Sequence, residues 1–320
     1  MTTVAKTHPK AGQTDILGIG LANDLCEPNF VQLVRDVYER GLCDYLTVYV
    51  YENYSLEFMR NIRAALPPGL QYVWHASGDF ELPYDGPSVA TNWERIRTIV
   101  DLWHPAWATE DVIVTSFARS RPQGNPNYIQ PFLTEECLQV CIRRMREINE
   151  RVPVPLFPEV PHFYIPGPDE MHLSTFFRRF VDATGAMLNL DVGHFFSYNL
   201  LHGRPPLDRI DEFPLDHVAE INTAGGMVGD ASGGTWVDDY AGPLNPFTEE
   251  VLRYVIPRCS RLQAIYTETI GAEPWVLIHN LERLHELFPR ARRERREPVG
   301  VIADKGRWAD EPARSANPLQ

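Results

Sequence analysis

Short apolar runs alternate with helical stretches along most of this chain, and this alternation constrains the fold more than any other feature. Eight such units follow one another between Ile16 and Phe288, with runs such as Tyr45–Val50 and Ala264–Thr267. Strands that alternate with helices pair in parallel and are covered by those helices. The sequence therefore predicts an α/β fold, a (β/α)8 TIM barrel, in which functional side chains lie at the C-terminal strand ends.

The predicted barrel spans residues 15–289, between a disordered N-terminus at 1–14 and an Arg-rich, disordered tail at 290–320. The tail begins with a run of arginines, but low hydrophobicity on an acidic protein favours a solvated end over a binding surface.

Two internal segments are less regular than the rest. The fourth strand is either Val112–Phe117, which β propensity favours, or Ala106–Glu110, which would leave Asp111 at its end. The segment Ala224–Gly242 contains two Gly-Gly pairs without the spacing of a phosphate-binding loop, and is predicted to be a mobile loop over the barrel mouth.

Composition excludes several classes of function. The chain has 30 Lys and Arg against 43 Asp and Glu, a formal charge of −13, which argues against nucleic-acid and anionic-membrane surfaces. The five cysteines include no C-x-x-C pair, and no apolar stretch reaches the roughly 18 residues that span a bilayer. The sequence predicts a soluble cytoplasmic enzyme with reduced thiols.

Ionisable or amide side chains recur where the predicted strands end. They are Glu52, His75, Asp111, Glu159, Asp191, Asn222 and Glu268. His194 follows Asp191 by three residues, and this oxygen and nitrogen pair suits Fe(II), Mn(II) or Zn(II). Alternatively, Asp191 caps the next helix and His194 packs beneath it.

Carboxylates that share a barrel mouth repel one another, so either their pKa values rise or cations neutralise them. A metal site built from His75, Glu159, Asp191, His194 and Glu268, with Asp111 as a sixth ligand, is the simpler solution. His104, which precedes Pro105, is predicted to end a helix. Six other histidines are predicted to be solvated in loops and helices: His162, His172, His202, His217, His279 and His285.

Several short motifs, in this order, resemble one known family. They are Glu52-Asn53-Tyr54, His75, Trp107 to Asp111, Glu159 before a proline loop, Leu190 to His194, Ala224-Gly225, and Thr267-Glu268. The pattern resembles the multinuclear non-haem iron-dependent oxidative enzymes, which include the methanobactin-type oxazolone and thioamide synthases, and the chain is identified as a divergent member.

The resemblance implies a xylose-isomerase-like TIM barrel that holds two or three irons and uses O2 as co-substrate in natural-product biosynthesis. Five residues match family ligand positions: His75, Glu159, Asp191, His194 and Glu268. Glu159, Asp191, His194 and Glu268 are also the predicted catalytic residues. Asp111 and Asn222 stand where the family has histidine, and Asp238-Asp239-Tyr240 replaces its Asp-x-His.

These three replacements leave alternatives open. Asp111, Asn222 and Asp238 offer oxygen ligands and Tyr240 a phenolate, or the site is mononuclear and takes a small molecule rather than a cysteine-containing peptide. The order of Glu159, Asp191 with His194, and Glu268 also resembles metal-dependent sugar isomerases and epimerases. A degenerate barrel that only binds a partner is the third hypothesis. Family members that act on peptides often need a separate peptide-recognition protein.

Overall fold

A computed structural model of the chain describes residues 17–51, 53–84, 91–114, 128–167, 169–228 and 236–289. Eight parallel strands close a barrel in the order β1-β10-β7-β6-β5-β4-β3-β2. The barrel strands are β1 Gly18–Asn23, β2 Tyr45–Tyr49, β3 Gln71–His75, β4 Ala108–Asp111, β5 Leu156–Glu159, β6 Leu188–Asp191, β7 Val218–Thr223 and β10 Ala264–Glu268. The prediction of a TIM barrel is confirmed.

Within the described ranges, eight α-helices connect and cover these strands. They are α1 Phe30–Glu39, α2 Leu56–Ala65, α3 Trp93–Trp103, α4 Glu135–Arg151, α5 Leu173–Thr184, α6 Val192–Leu201, α7 Pro246–Val255 and α8 Pro274–Leu287. Side-chain caps fix several starts: the Thr134 hydroxyl accepts the Cys137 N–H, and the Asn245 carbonyl accepts the Thr248 N–H. Among the described residues, no helix combines the length and the apolar character needed to cross a membrane.

The apolar core lies mainly between the barrel and its helices, where Trp103, Phe176 and Phe196 are fully or almost fully buried. The barrel interior is filled by larger, partly polar side chains from alternate strand positions, including Tyr45 and Tyr266. Gly20 makes room for one of them, because a Cβ atom there would lie 2.4 Å from the Tyr45 ring.

The structure resolves the ambiguity of the fourth strand in favour of the less β-prone segment. β4 ends at Asp111, and residues 112–114 follow it as the start of a connection. The strand register shows this end point, because the last residue pair between β4 and β5 is Asp111 with Glu159. The propensity-favoured continuation from residue 115 lies outside the described residues, as do the predicted disordered ends.

The prediction of a loop over Ala224–Gly242 is wrong for the described part of that segment. Gly225–Val228 and Trp236–Asp239 form two antiparallel strands, β8 and β9, hereafter called the hairpin. The glycines obscured it because they lower strand propensity. They are required here by close packing: a Cβ atom on Gly226 would lie 2.0 Å from the Trp236 ring.

Candidate metal centre

The barrel strands bring all eight predicted site residues into one connected group at the C-terminal mouth. Five are the last residues of their strands, and Asn222 is one residue from the end of β7. His194 comes from the first turn of α6, and Asp238 comes from the hairpin. Their roles as ligands remain a prediction, but their proximity follows from the parallel register of the barrel.

The first half of the group surrounds Glu159. His75 Nε2 lies 3.2 Å from Glu159 Oε2, and Asn222 Nδ2 donates to Glu159 Oε1 at 3.0 Å and to Glu268 Oε1 at 3.2 Å. The Tyr49 hydroxyl also donates to Glu268 Oε1. Two carboxylates are thus held on either side of a single amide group.

The second half surrounds His194. Its Nε2 atom lies 3.0 Å from Asp238 Oδ2 and 3.8 Å from Asp191 Oδ2, and its Nδ1 atom lies 3.4 Å from Asp111 Oδ1. Nδ1 also lies 2.7 Å from the Val160 carbonyl, which can only accept a hydrogen bond. Nδ1 therefore carries a proton, and Nε2 is directed towards the acidic residues.

Both halves bind protons unusually tightly when no other cation is present. Burial alone would lower the pKa of His75, but the Glu159 and Asp111 carboxylates raise it to about 9. Burial opposes protonation of His194 too, and the Asp191 and Asp238 carboxylates nevertheless raise its pKa well above its usual range. The site is thus built to hold positive charge.

Five carboxylates and two imidazoles meet in this group, and the carboxylates form no ion pair with Lys or Arg within the described ranges. Buried carboxylates without a cationic partner are costly. The Asn222 carbonyl oxygen is also buried without a hydrogen-bond partner among the described residues. A divalent ion with mixed oxygen and nitrogen ligands fits this donor set.

Two overlapping triads have ligand atoms close enough to share an ion. In each, all three candidate atoms lie within 4.8 Å of one another: Asp111 with Glu159 and His194, and Asp191 with His194 and Asp238. Because His194 belongs to both triads, the two candidate positions adjoin.

Asp191 also caps α6, so the two alternatives predicted for this residue, metal ligand and helix cap, are compatible. Its Oδ1 atom accepts the His194 backbone N–H at 2.8 Å, while Oδ2 faces His194 Nε2. The cap satisfies a backbone donor and orients the carboxylate at the same time.

The hairpin closes one side of the site through a tight contact with α6. Trp236 is buried, and its indole N–H donates to Asp238 Oδ1 at 3.1 Å. Gly193 in the first turn of α6 permits this approach, because a Cβ atom there would lie 2.5 Å from Asp238 Oδ1 and 2.7 Å from Trp236 Nε1.

Two residues that the sequence did not identify, His162 and Tyr128, support the site. His162 is buried, its ring lies 5.3 Å from that of His194, and its Nε2 atom donates to the Trp236 carbonyl at 3.0 Å. Tyr128 accepts the His162 backbone N–H at 2.8 Å and donates to Asp111 Oδ1 at 2.9 Å. The sequence around Pro161-His162 does not indicate these contacts, because they connect segments that are far apart in the chain.

The prediction of solvated histidines is therefore wrong at three positions. His162, His172 and His285 are buried, and the last two bond to the Asn199 side chain and the Leu42 carbonyl. His279 is exposed, as predicted, and His104 caps the C-terminus of α3, as predicted.

The structure gives less support to the other candidate site residues, Tyr240, Asp239 and Glu52. Tyr240 is only partly exposed, and burial together with the Asp238 charge raises the pKa of its phenol well above the usual range. Asp239 caps its own turn through the Ala241 N–H. Glu52 lies outside the described residues.

A further carboxylate, Glu220, is buried deeper in the barrel, where it accepts hydrogen bonds from the Tyr45 hydroxyl and the Trp107 indole. Burial, followed by the charge of Glu159, raises its pKa from 4.5 to about 8. Because the folded state binds this proton more tightly than the unfolded chain, the stabilisation is complete below pH 4.5 and is lost as the pH rises towards 8.

We therefore expect Glu220→Gln to flatten the decline in unfolding free energy of the metal-free protein between pH 5 and pH 8, by on the order of a few kcal/mol. Urea denaturation of both proteins across this range measures it. Equal slopes for wild type and variant would contradict the assignment.

A closed parallel barrel whose strand ends carry carboxylates and imidazoles defines the protein as a xylose-isomerase-like TIM barrel with a candidate metal centre. The family model of the RiPP precursor modification enzymes MbnB/TglH/ChrH matches residues 85–268, more than half of the chain. The chain belongs to this family; a RiPP is a ribosomally synthesised and post-translationally modified peptide.

Two curated proteins that match part of the chain both carry the designation UPF0276. A UPF0276 protein of Streptomyces avermitilis is 31% identical over 112 residues, which cover 35% of this chain and 22% of that protein. UPF0276 protein RB0508 of Rhizobium meliloti is 32% identical over 123 residues, covering 38% of this chain and 37% of that protein. The matches thus span well under half of either relative.

Similar solved structures show the fold alone. An L-ribulose 3-epimerase is 12% identical with a TM-score of 0.52, covering 87% of this chain and 97% of its own. A xylose isomerase-like TIM barrel protein from Mycobacterium smegmatis in complex with magnesium is 14% identical with a TM-score of 0.54, covering 86% and 97%.

Proposed function

We propose that this protein is an iron-dependent enzyme that uses O2 to oxidise a peptide in natural-product biosynthesis. The observation that carries the proposal is the buried mouth, where five carboxylates and two imidazoles converge without a Lys or Arg partner among the described residues. Family membership supports a peptide, including a cysteine-containing one, over a free small molecule. Bound iron supplies the redox chemistry by which O2 oxidises an otherwise unreactive bond.

We infer two adjoining ion positions beside His194, one with Asp111 and Glu159 and the other with Asp191 and Asp238. Because Nδ1 of His194 carries a proton, the ring can bind only one ion, through Nε2. The ion beside Asp111 and Glu159 would then take its nitrogen ligand from His75, whose Nε2 atom lies 3.2 Å from Glu159 Oε2. Glu268 and the Asn222 carbonyl complete the donor set and are the donors left for a third position. The mixture of oxygen and imidazole donors suits iron, manganese or zinc more than calcium.

The protein's own groups would manage protons near these ions. Burial raises the pKa of Glu268 from 4.5 to about 8, so its carboxyl group holds a proton near neutral pH. Tyr49 and Asn222 both donate to Oε1 of Glu268, which leaves the proton on Oε2. Glu268 is therefore our candidate for the general acid when no ion binds to it, and Asn222 keeps it beside Glu159. As a metal ligand it would be ionised and would have no proton to donate.

The setting of the reaction is part of the same proposal. All five cysteines are free thiols, which supports a reducing compartment such as the cytoplasm. A separate peptide-recognition protein would act in trans.

Metal analysis with Mössbauer spectroscopy tests the proposal on protein purified without oxygen from iron-supplemented cells. We expect two irons per chain and substrate turnover only when O2 is admitted. Full turnover under strict anaerobiosis, or manganese or zinc in place of iron, would overturn it.

One observation favours a second candidate, a metal-dependent isomerase or epimerase. Glu159 and Glu268 lie on either side of the Asn222 amide, an arrangement suited to two proton-transfer bases flanking one substrate carbon. Exchange of solvent deuterium into a recovered sugar-like substrate would favour this candidate, whereas oxygen consumption without exchange would exclude it.

A further inference from the structure

The exposed large hydrophobic side chains of this protein are concentrated on one face. Within the described part of the chain, all seven lie on connections that follow barrel strands or in the first turn of the next helix. They are Phe132, Tyr164, Ile165, Met227, Val237, Phe247 and Trp275. Isolated exposed hydrophobics are ordinary, but their confinement to the face that carries the candidate metal centre indicates an interaction surface.

Six of these residues form what we call the apolar rim, namely all of them except Trp275. Tyr164 stacks on His162 with ring centroids 4.1 Å apart, and His162 bonds to the carbonyl of Trp236, the residue before Val237. Met227 and Val237 are direct cross-strand partners in the hairpin. The rim therefore runs beside the metal centre, over the strands from β4 to β7.

Acidic side chains occupy the opposite side of the mouth. Asp24 and Glu27 follow β1, and Glu273 follows β10. In the closed barrel β1 lies opposite β5 and β10 lies opposite β4, so these carboxylates face the rim residues Ile165 and Phe132 across the metal centre. Glu27 accepts the Gly271 N–H at 3.0 Å, which joins the two acidic connections.

These acids have no Lys or Arg partner in the part of the mouth that the structure describes. The described residues of the connections that lead from a strand into the next helix contain no Lys or Arg. Asp24, Glu27 and Glu273 form no ion pair among the described residues. Trp275, which is 60% exposed and two residues beyond Glu273, adds an aromatic face that suits a cation.

We propose that the mouth binds an extended peptide segment with an apolar side chain at one end and a Lys or Arg side chain at the other. The apolar side chain packs on the rim, the cationic one lies between Asp24, Glu27 and Glu273, and the residue to be modified lies over the metal centre between them. The inference rests on the proposed function, because it assumes that a peptide enters the mouth.

Fluorescence anisotropy on the metal-free full-length protein tests this inference without iron or oxygen. The probes are labelled synthetic peptides of one length, with leucine or serine at one end and lysine or glutamate at the other, in all combinations. We expect the leucine and lysine peptide to bind about tenfold more tightly than either singly changed peptide, and to weaken with added salt.

Variants locate the binding surface. Glu27→Gln with Glu273→Gln should abolish the preference for lysine over glutamate, and Ile165→Ser with Met227→Ser should abolish the preference for leucine over serine. The charge-matched control is Glu150→Gln with Asp182→Asn, two exposed carboxylates on the outer helices, which should leave both preferences unchanged.

Three results would overturn the inference: equal binding of lysine and glutamate peptides, an equal loss in the control variant, or dimerisation of the protein that the Ile165→Ser, Met227→Ser variant abolishes. The last would assign the rim to a second copy of the chain. Since binding is measured without metal, a failure here is distinguishable from absence of iron or of oxygen-dependent turnover.

Discussion

The Asp191→Ala, His194→Ala double variant is expected to lose its bound metal and its activity together. His194 is the shared member of both triads, and Asp191 Oδ2 lies 3.8 Å from its Nε2 atom. Loss of a residue that merely supports a ligand costs about 10- to 100-fold in metal affinity, so loss of two ligands should exceed that range. Metal content per chain, measured after identical purification, gives the result.

Single substitutions separate ligation from capping at Asp191. Asparagine caps helices about as well as aspartate, so Asp191→Asn should keep the stability of the fold while lowering metal affinity. Asp191→Ala should additionally lower the unfolding free energy by about 1 kcal/mol through the lost bond to the His194 N–H. His279→Ala, at an exposed histidine, is the control and should retain the metal. Full metal content in Asp191→Ala as well as in Asp191→Asn would show that capping is the only role of Asp191.

The barrel and most of the site could be predicted because both depend on local pattern plus one rule of topology. A run that ends in a polar residue gives the strand and its last side chain, and parallel closure brings such ends together. Asp111 shows the limit of propensity: the residues after it favour a strand, yet the pairing of Asp111 with Glu159 ends β4 there. Register is a property of two strands and is absent from either sequence alone.

The supports of the site could not be predicted because they are long-range. Tyr128 bonds to Asp111 at the end of β4, and His162 bonds to the Trp236 carbonyl in β9; the bonded residues are 17 and 74 positions apart in the sequence. The sequence did not predict the hairpin for a related reason. Its glycines are suited to the side chains that pack over them, and those partners, such as Trp236 over Gly226, are known only once the chain has folded.

The approach of the hairpin to α6 makes Gly193→Ala the sharpest test of how the centre is assembled. Alanine favours a helix over glycine, by up to about 1 kcal/mol, so the substitution should not weaken α6. The added Cβ atom would nevertheless lie 2.5 Å from Asp238 Oδ1, which must then move away. We expect the thermal midpoint of the metal-free protein to change little, while metal affinity falls by at least about tenfold.

A double-mutant cycle distinguishes displacement of Asp238 from any other cause. If Gly193→Ala acts by pushing Asp238 from His194, then Asp238→Ala alone should cost at least as much metal affinity, and adding Gly193→Ala to it should cost little more. Fully additive losses would show that the two residues act independently, and would remove Asp238 from the shared position with His194. Non-additive losses would mean that the hairpin can contribute a ligand only because α6 has a glycine in its first turn. The packing of the hairpin against α6 would then be part of how the metal centre is assembled.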